Sequence, residues 1–429
     1  MNKPRTWTAE TIAIGSELLL GGRLDTNSLF IADQLASYGM ELRYKTTVGD
    51  DLSDIVGALK TAVRRSRVVM ITGGLGPTVD DLTREAVARA TGRRLARRKI
   101  ASEEMVARLA GWGRKPNKSQ FRQAMIPAGA DILSNPVGTA PGFALSWKGT
   151  FLAALPGVPR EMESMVRENV LPRLQEWVHS QKASILTPMV RRVLHTSGVP
   201  ESFVDETLAG LIPKNSPIQL GIYASPMGIM VTLTGPAAVR QQGSVSIDLV
   251  CAIARERLRD VLYGEADDTM ESVVGRLLGE QKLTLAVAES CTGGLIGHRL
   301  TQVSGSSAYL DRVAVTYSNR AKVEMLGVPN GVIDRHGAVS AEVAAAMARG
   351  VRERSGTSVG LSVTGIAGPG GATDTKPVGL VYVGLDGGPS EAVTKEFRFH
   401  GGDRSVIKQR SSQAALDLLR RWLVRRSQG

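Results

Sequence analysis

Ser290 stands in the run AESCTGG, directly after the apolar stretch LTLAVA and ahead of the helical pattern LIGHRLTQ. A serine at a strand-to-helix turn presents its hydroxyl together with backbone N–H groups, the arrangement that acyl transfer needs. The N–H groups of Thr292, Gly293 and Gly294 are expected to face an anion or a developing oxyanion. Serine is also an ordinary helix N-cap, so the reading turns on a base. His298 falls two turns down the helix, and His336, in DRHGAVS, has no evident acidic partner, so no Ser-His-Asp triad emerges. Lys322, in TYSNRAK, opens a helix just after the strand RVAVTYS, which puts both residues at one sheet edge. A lysine partly desolvated in a pocket can lose its proton and activate a serine. Tyr317 offers a hydroxyl for positioning a proton or the substrate. The loop TGIAGPGG offers Gly365, Ala367 and Gly368 as backbone contacts, and GDRS adds Arg404 for an anionic group. Cys291 reads as packing.

A second constellation lies near the other end. MITGGLGPTVDDLTRE joins a strand to a glycine-rich loop, where Gly73, Gly74 and Gly76 can cradle a phosphate. Asp80 and Asp81 are hard oxygen ligands suited to a cation such as Mg²⁺, or equally a capping pair at a helix start. The Gly-Lys-Ser/Thr ending of a Walker A loop is missing.

The elements that must hold these residues fall into three blocks of a 429-residue chain. Residues 1–174 alternate strands (TAETIAIG, MELRYKTTVGD, SRVVMITGG, TFLAALPG) with helices, a rhythm that predicts a parallel, doubly wound α/β sheet. Residues 188–263 read βαββα, a small α+β sandwich, flanked by the linker segments HSQKASILTP and YGEADDTM. Residues 270–429 return to α/β. Ligands in such sheets bind at the carboxyl ends of the strands, where the glycine-rich turns fall.

Composition narrows the classes. Apolar residues are 42% and charged residues 22%, which disfavours a disordered or fibrous chain. Two cysteines and five histidines leave no disulfide framework or zinc pattern. Glu10 and Glu17 interrupt the N-terminal apolar pattern, and no run approaches the ~20 residues of a membrane span, so a soluble, cytoplasmic protein is expected. The net charge of +12 invites a nucleic-acid reading, but aromatic residues are only 4%, few platforms for stacked bases. Much of the charge is local, around Arg84–Lys99 and Arg420–Arg426, and reads as solvated helix faces. Nucleic acid is not expected as a partner.

Several motifs in order resemble the CinA family. AESCTGG, GSSAYLDRVAVTYSNRAK, HGAVS, SVTGIAGPGG, KPVGLVYVG and GDR resemble its C-terminal domain, a nicotinamide-mononucleotide (NMN) deamidase. The resemblance implies a Ser/Lys amidohydrolase, with Ser290 as nucleophile and Lys322 as base, needing no metal. GSELLLGGRLDTNS, VGDD, TGGLGPTVDD, NPVGTAPGF and LPGVPREM resemble the family's MoaB/MogA-like N-terminal domain. That domain is associated with ADP-ribose pyrophosphatase activity dependent on a divalent cation, Mg or Co. The resemblance implies Asp50, Asp80 and Asp81 as metal ligands, and Gly73, Gly74, Gly76, Thr78 and Gly157 as nucleotide contacts. Arg122, in FRQAMIP, stands where a lysine is common. The middle block resembles the KH-like linker domain without a GXXG loop, which fits a spacer or dimerisation element rather than an RNA binder. The implied protein is a homodimer in pyridine-nucleotide salvage; the alternative is a non-enzymatic, competence- or DNA-damage-related regulatory or pterin-binding protein.

Overall fold

Val68–Thr72 and Thr150–Leu155 are buried at every position, a pattern that a strand covered on both faces requires. The computed structural model describes residues 7–181, 188–237, 245–388 and 391–427 and divides into two units. Residues 1–190 with 236–242 form the first; residues 191–235 with 243–429 form the second.

The first unit contains β1 (Trp7–Ile14), α1 (Ser16–Leu19), α2 (Asn27–Ser37), β2 (Met40–Val48), α3 (Leu52–Arg65), β3 (Val68–Thr72), α4 (Thr83–Thr91) and β4 (Leu95–Arg97). It continues with α5 (Lys99–Gly111), β5 (Met125–Pro127), β6 (Asp131–Leu133), β7 (Gly142–Trp147), β8 (Thr150–Leu155), α6 (Pro159–Met165) and α7 (Leu171–Ser180). The main sheet has the order β2-β1-β3-β8-β7-β6. Side chains alternate along β3: Val68 and Met70 pack with Ile31, Leu35 and Met162, whereas Val69 and Ile71 pack with Ile55, Leu59 and Val87. That period of two puts helices on both faces, as expected. The sheet is not wholly parallel. Its first four strands are, but β7 runs antiparallel to β8. The cause is a two-residue turn, Lys148–Gly149, with both φ positive (50° and 74°), which closes a tight hairpin.

The second unit begins with β9 (Met189–Thr196), α8 (Glu201–Thr207), β10 (Gln219–Ser225), β11 (Gly228–Pro236), α9 (Ile247–Leu258) and β12 (Leu262–Glu265). These form a four-stranded sheet in the order β10-β11-β9-β12. The expected linker YGEADDTM is therefore partly strand: β12 pairs antiparallel with β9. In the other expected linker, His179 and Ser180 complete α7, and residues 182–187 lie outside the described residues.

The unit continues with α10 (Met270–Glu280), β13 (Leu285–Glu289), α11 (Leu295–Thr301), β14 (Leu310–Val315), α12 (Asn319–Leu326), α13 (Asn330–His336) and α14 (Ala341–Ser355). It ends with β15 (Val359–Gly365), β16 (Leu380–Asp386), β17 (Ala392–Arg398) and α15 (Arg404–Arg426). The sheet order is β14-β13-β15-β16-β17, parallel over its first three strands and antiparallel beyond. Leu285 and Val287 face Leu278, Leu300 and Leu416, while Ala286 and Ala288 face Met347 and Val351. Small residues on the second face let α14 lie close to the sheet.

The basic runs are not simply solvated faces. Arg84 is fully buried, and Arg420 is nearly so, paired at 2.8 Å with Asp417. Arg421 also reaches Asp417, and Arg426 reaches Glu391. Among the described residues no helix is long and apolar enough to cross a membrane.

Candidate active site

β13 and β14 run side by side in parallel register, Ala288 opposite Ala314 and Glu289 opposite Val315. The chain therefore leaves both strands at the same edge, with Ser290 after one and Thr316 after the other. Ser318 caps α12 by accepting the Ala321 N–H, and the first turn of that helix carries Lys322 back over the strand ends. Lys322 Nζ lies 3.1 Å from Ser290 Oγ and 2.8 Å from the Thr316 carbonyl, with the Tyr317 carbonyl at 3.5 Å. Lys322 is 1% exposed and Ser290 8%. Burial pushes the Lys322 pKa below that of an ordinary lysine. Three oxygens surround this nitrogen, none of them a carboxylate. A neutral amine can keep two N–H bonds to the carbonyls and turn its lone pair to the serine hydroxyl.

The turn after Ser290 is built differently from the expectation. Glu289, buried, accepts the Gly294 N–H at 2.9 Å and the Gly297 N–H at 2.8 Å. Gly293 N–H donates to the Ser290 carbonyl at 3.1 Å. Two of the three expected anion donors are thus spent on the fold, and the Thr292 N–H is the one left without a partner within the described residues. The Thr292 hydroxyl is also buried and unpartnered. Gly293 and Gly294 have φ of +60° and +94°, a backbone that a Cβ would strain. Cys291 sits in the core, its thiol pushed up to about 12 by burial.

Arg404 joins the remaining loops. It donates to the Gly368 carbonyl at 2.6 Å and to the Tyr317 hydroxyl at 2.7 Å. Asp403 caps α15 by accepting the Val406 N–H. The Tyr317 phenol is therefore engaged with Arg404, while its carbonyl serves Lys322. Gly365 lies within β15 opposite Val381, and Ala367 is buried in the core. The Gly368 carbonyl accepts from Arg404. Glu289 and Thr316 went unread in the sequence, although an acidic residue ending an apolar strand before Cys-Thr-Gly-Gly is a readable signal.

In the first unit three loops converge at the carboxyl ends of β1, β3 and β8. A Cβ on Gly73 would lie 2.1 Å from the Ile14 carbonyl oxygen, and one on Gly157 would lie 3.4 Å from Gly73 Cα. Asn27 Nδ2 donates to the Gly157 carbonyl at 2.9 Å, and the Asn27 Oδ1 and Ser28 hydroxyl are buried without partners. Arg84 donates to the carbonyls of Leu75 and Gly76, and Arg122 to that of Thr78. Because a trans peptide sets N–H opposite C=O, the Gly76 N–H points away from Arg84. Desolvation lowers the pKa of this buried guanidinium. We expect Gly73→Ala, at φ +98° and against the Ile14 carbonyl, to destabilise this unit by about 3 kcal/mol, read as a lowered urea midpoint.

The three expected acidic ligands do not gather into one cluster. Asp50 accepts the Ser16 N–H at 2.8 Å, and Asp81 accepts both the N–H and the hydroxyl of Thr78, at 2.8 and 2.5 Å. Thr78 is exposed, and its hydroxyl is held by Asp81. Asp80 is exposed. Among the described residues no group of three His, Cys, Asp or Glu side chains converges as a metal site would. Asp50, Asp80 and Asp81 do not fit a preformed cation site.

Comparison with known proteins matches these parts. Residues 10–176 fit the profile described as "Probable molybdopterin binding domain", residues 191–264 "Damage-inducible protein CinA KH domain", and residues 267–423 "CinA C-terminal domain". A "Putative competence-damage inducible protein" of Moorella thermoacetica is 44% identical over 415 residues, covering 97% of this chain and 98% of that one. A "CinA-like protein" of Geobacter sulfurreducens is 42% identical over 416 residues, covering 96% and 98%. Among solved structures, the competence/damage-inducible protein CihA from Agrobacterium tumefaciens is 40% identical, covering 36% of this chain and 94% of that one, with a TM-score of 0.35. The chain belongs to the CinA family.

Proposed function

We propose that the second unit is an amidohydrolase that converts nicotinamide mononucleotide to nicotinic acid mononucleotide and ammonia. The observation that carries this is the buried contact of Lys322 Nζ with Ser290 Oγ at 3.1 Å, with no carboxylate hydrogen-bonded to that amine. Neutral Lys322 takes the serine proton as Oγ bonds to the carboxamide carbon. The Thr292 N–H is the backbone donor available to the oxyanion. The ammonium of Lys322 returns its proton to the leaving nitrogen, and ammonia departs. Water then attacks the ester, Lys322 again accepting the proton, and the C–Oγ bond breaks as Lys322 returns that proton to Ser290 Oγ, releasing the acid.

The test is ammonia release from NMN by wild type and Ser290→Ala. We expect the variant to lose at least about 10³-fold in kcat, the usual scale for removing a nucleophile. Turnover by Ser290→Ala near the wild-type rate would end this reading.

A second activity is proposed for the first unit, hydrolysis of ADP-ribose at the cradle formed by Gly73, Gly74, Gly76 and Gly157. The buried, unpartnered polar atoms of Asn27 and Ser28 beside it favour a polar ligand. Since the acids do not converge, no step is assigned to a resident metal ion. Failure to release AMP from ADP-ribose with either Mg²⁺ or Co²⁺ present would remove this activity.

A further inference from the structure

The proposed substrate is a phosphate monoester, and Arg404 alone has been set against its charge. Arg404 already donates to Gly368 and Tyr317, so part of its guanidinium is committed to the loops. Four residues on, along the same face of α15, stands Lys408. A side-chain carbon at Gly293 would lie 3.5 Å from Lys408 Nζ, so the ammonium rests over the turn that carries Ser290.

Neither cation has a carboxylate partner among the described residues. The acids nearby are committed elsewhere. Glu289 accepts two backbone N–H groups, and Asp403 accepts the Val406 N–H. The two like charges stand four residues apart on one helix, and no carboxylate among the described residues pairs with either. In the same turn the Thr292 hydroxyl is buried without a hydrogen-bond partner. An uncompensated cation pair beside an unsatisfied donor is what a dianion would complete.

We propose that Lys408 binds the phosphate monoester of the substrate together with Arg404, and so sets the preference for a nucleotide over the corresponding nucleoside. The proposal rests on the mononucleotide reading of this site. Lys408 is a substrate-binding residue here, and the proton transfers belong to Lys322.

The experiment compares wild type, Lys408→Ala, Lys408→Arg and Ser290→Ala. Turnover is measured with NMN and with its dephosphorylated analogue, nicotinamide riboside. Affinity for nicotinic acid mononucleotide and for inorganic phosphate is measured by calorimetry. Lys408→Ala should raise KM for NMN and weaken binding of both anions by about 10-fold or more, with kcat changed little. Its KM for the riboside should not move, and Lys408→Arg should restore most of the NMN affinity. Equal loss of kcat on both substrates would overturn the proposal and place the ammonium at the oxyanion. Unchanged KM and unchanged anion binding would overturn it as well. If wild type turns over neither substrate, or Ser290→Ala remains active, the chemical reading fails. The calorimetric comparison still decides whether Lys408 holds a phosphate.

Discussion

Lys322→Arg should lose about 10³-fold or more of kcat for ammonia release while remaining folded. A guanidinium keeps the positive charge but cannot give up its proton in the working range. It also replaces a compact nitrogen with a planar fork in a site where Lys322 is 1% exposed. If Lys322 merely anchored the turn by charge, arginine would preserve much of the rate. The wild-type pH profile supplies the matching sign. Burial lowers the Lys322 pKa, so the neutral amine gains population at a lower pH than in a free lysine. kcat/KM should therefore rise with pH and level off above that lowered pKa. A profile that falls as pH rises through this range would contradict a lysine base, and so would an arginine variant with near-normal kcat.

Removal of the buried carboxylate beside the serine should be the most damaging change to the fold around the site. Glu289→Ala leaves the N–H groups of Gly294 and Gly297 without acceptors. Unsatisfied buried donors cost about 1–3 kcal/mol each, so a loss of about 3 kcal/mol is expected in urea unfolding followed at the second unit. Glu289→Gln keeps the shape but points an amide NH₂ at one of the two N–H groups, and should recover only part of the loss. Activity should fall in both variants, since the turn orients Ser290. Ser290→Ala is the control, inactive with a nearly unchanged midpoint. Full stability in Glu289→Ala would show that the two N–H groups find other acceptors.

Much of this site was legible in the sequence. The strand-to-helix turns at Ser290 and the helix start at Lys322 are local signals, and parallel pairing of their strands follows from the α/β rhythm. The same reasoning missed where backbone donors go. Gly293 and Gly294 look like free N–H groups in a one-dimensional reading, but Glu289 turns back under the helix and takes the Gly294 N–H. Arg84 sits in a run of seven basic residues from Arg84 to Lys99 that reads as solvated, and is fully buried. Only its contacts with the carbonyls of Leu75 and Gly76 explain that burial. The hairpin reversing β7 against β8 was written in Trp147-Lys148-Gly149-Thr150, a signal outweighed by the parallel pattern around it. Lys408 carries no motif at all; its meaning comes from the turn of α15 that brings its Nζ close to Gly293.

The chain separations of the two sites differ, and so does the order in which each can come together. Ser290 and Lys322 are 32 residues apart and meet within one strand-helix-strand-helix crossover. In the first unit Asn27 and Gly157 are 130 residues apart. Loop-closure entropy scales as (3/2)RT ln n, which gives about 3 kcal/mol for the first contact and about 4 for the second. The Ser290–Lys322 contact is therefore available as soon as β13 and β14 find their register, whereas the glycine loops meet only once β8 has joined the sheet. A chain caught part-way through folding would hold its serine and lysine together before its distant glycine loops had met.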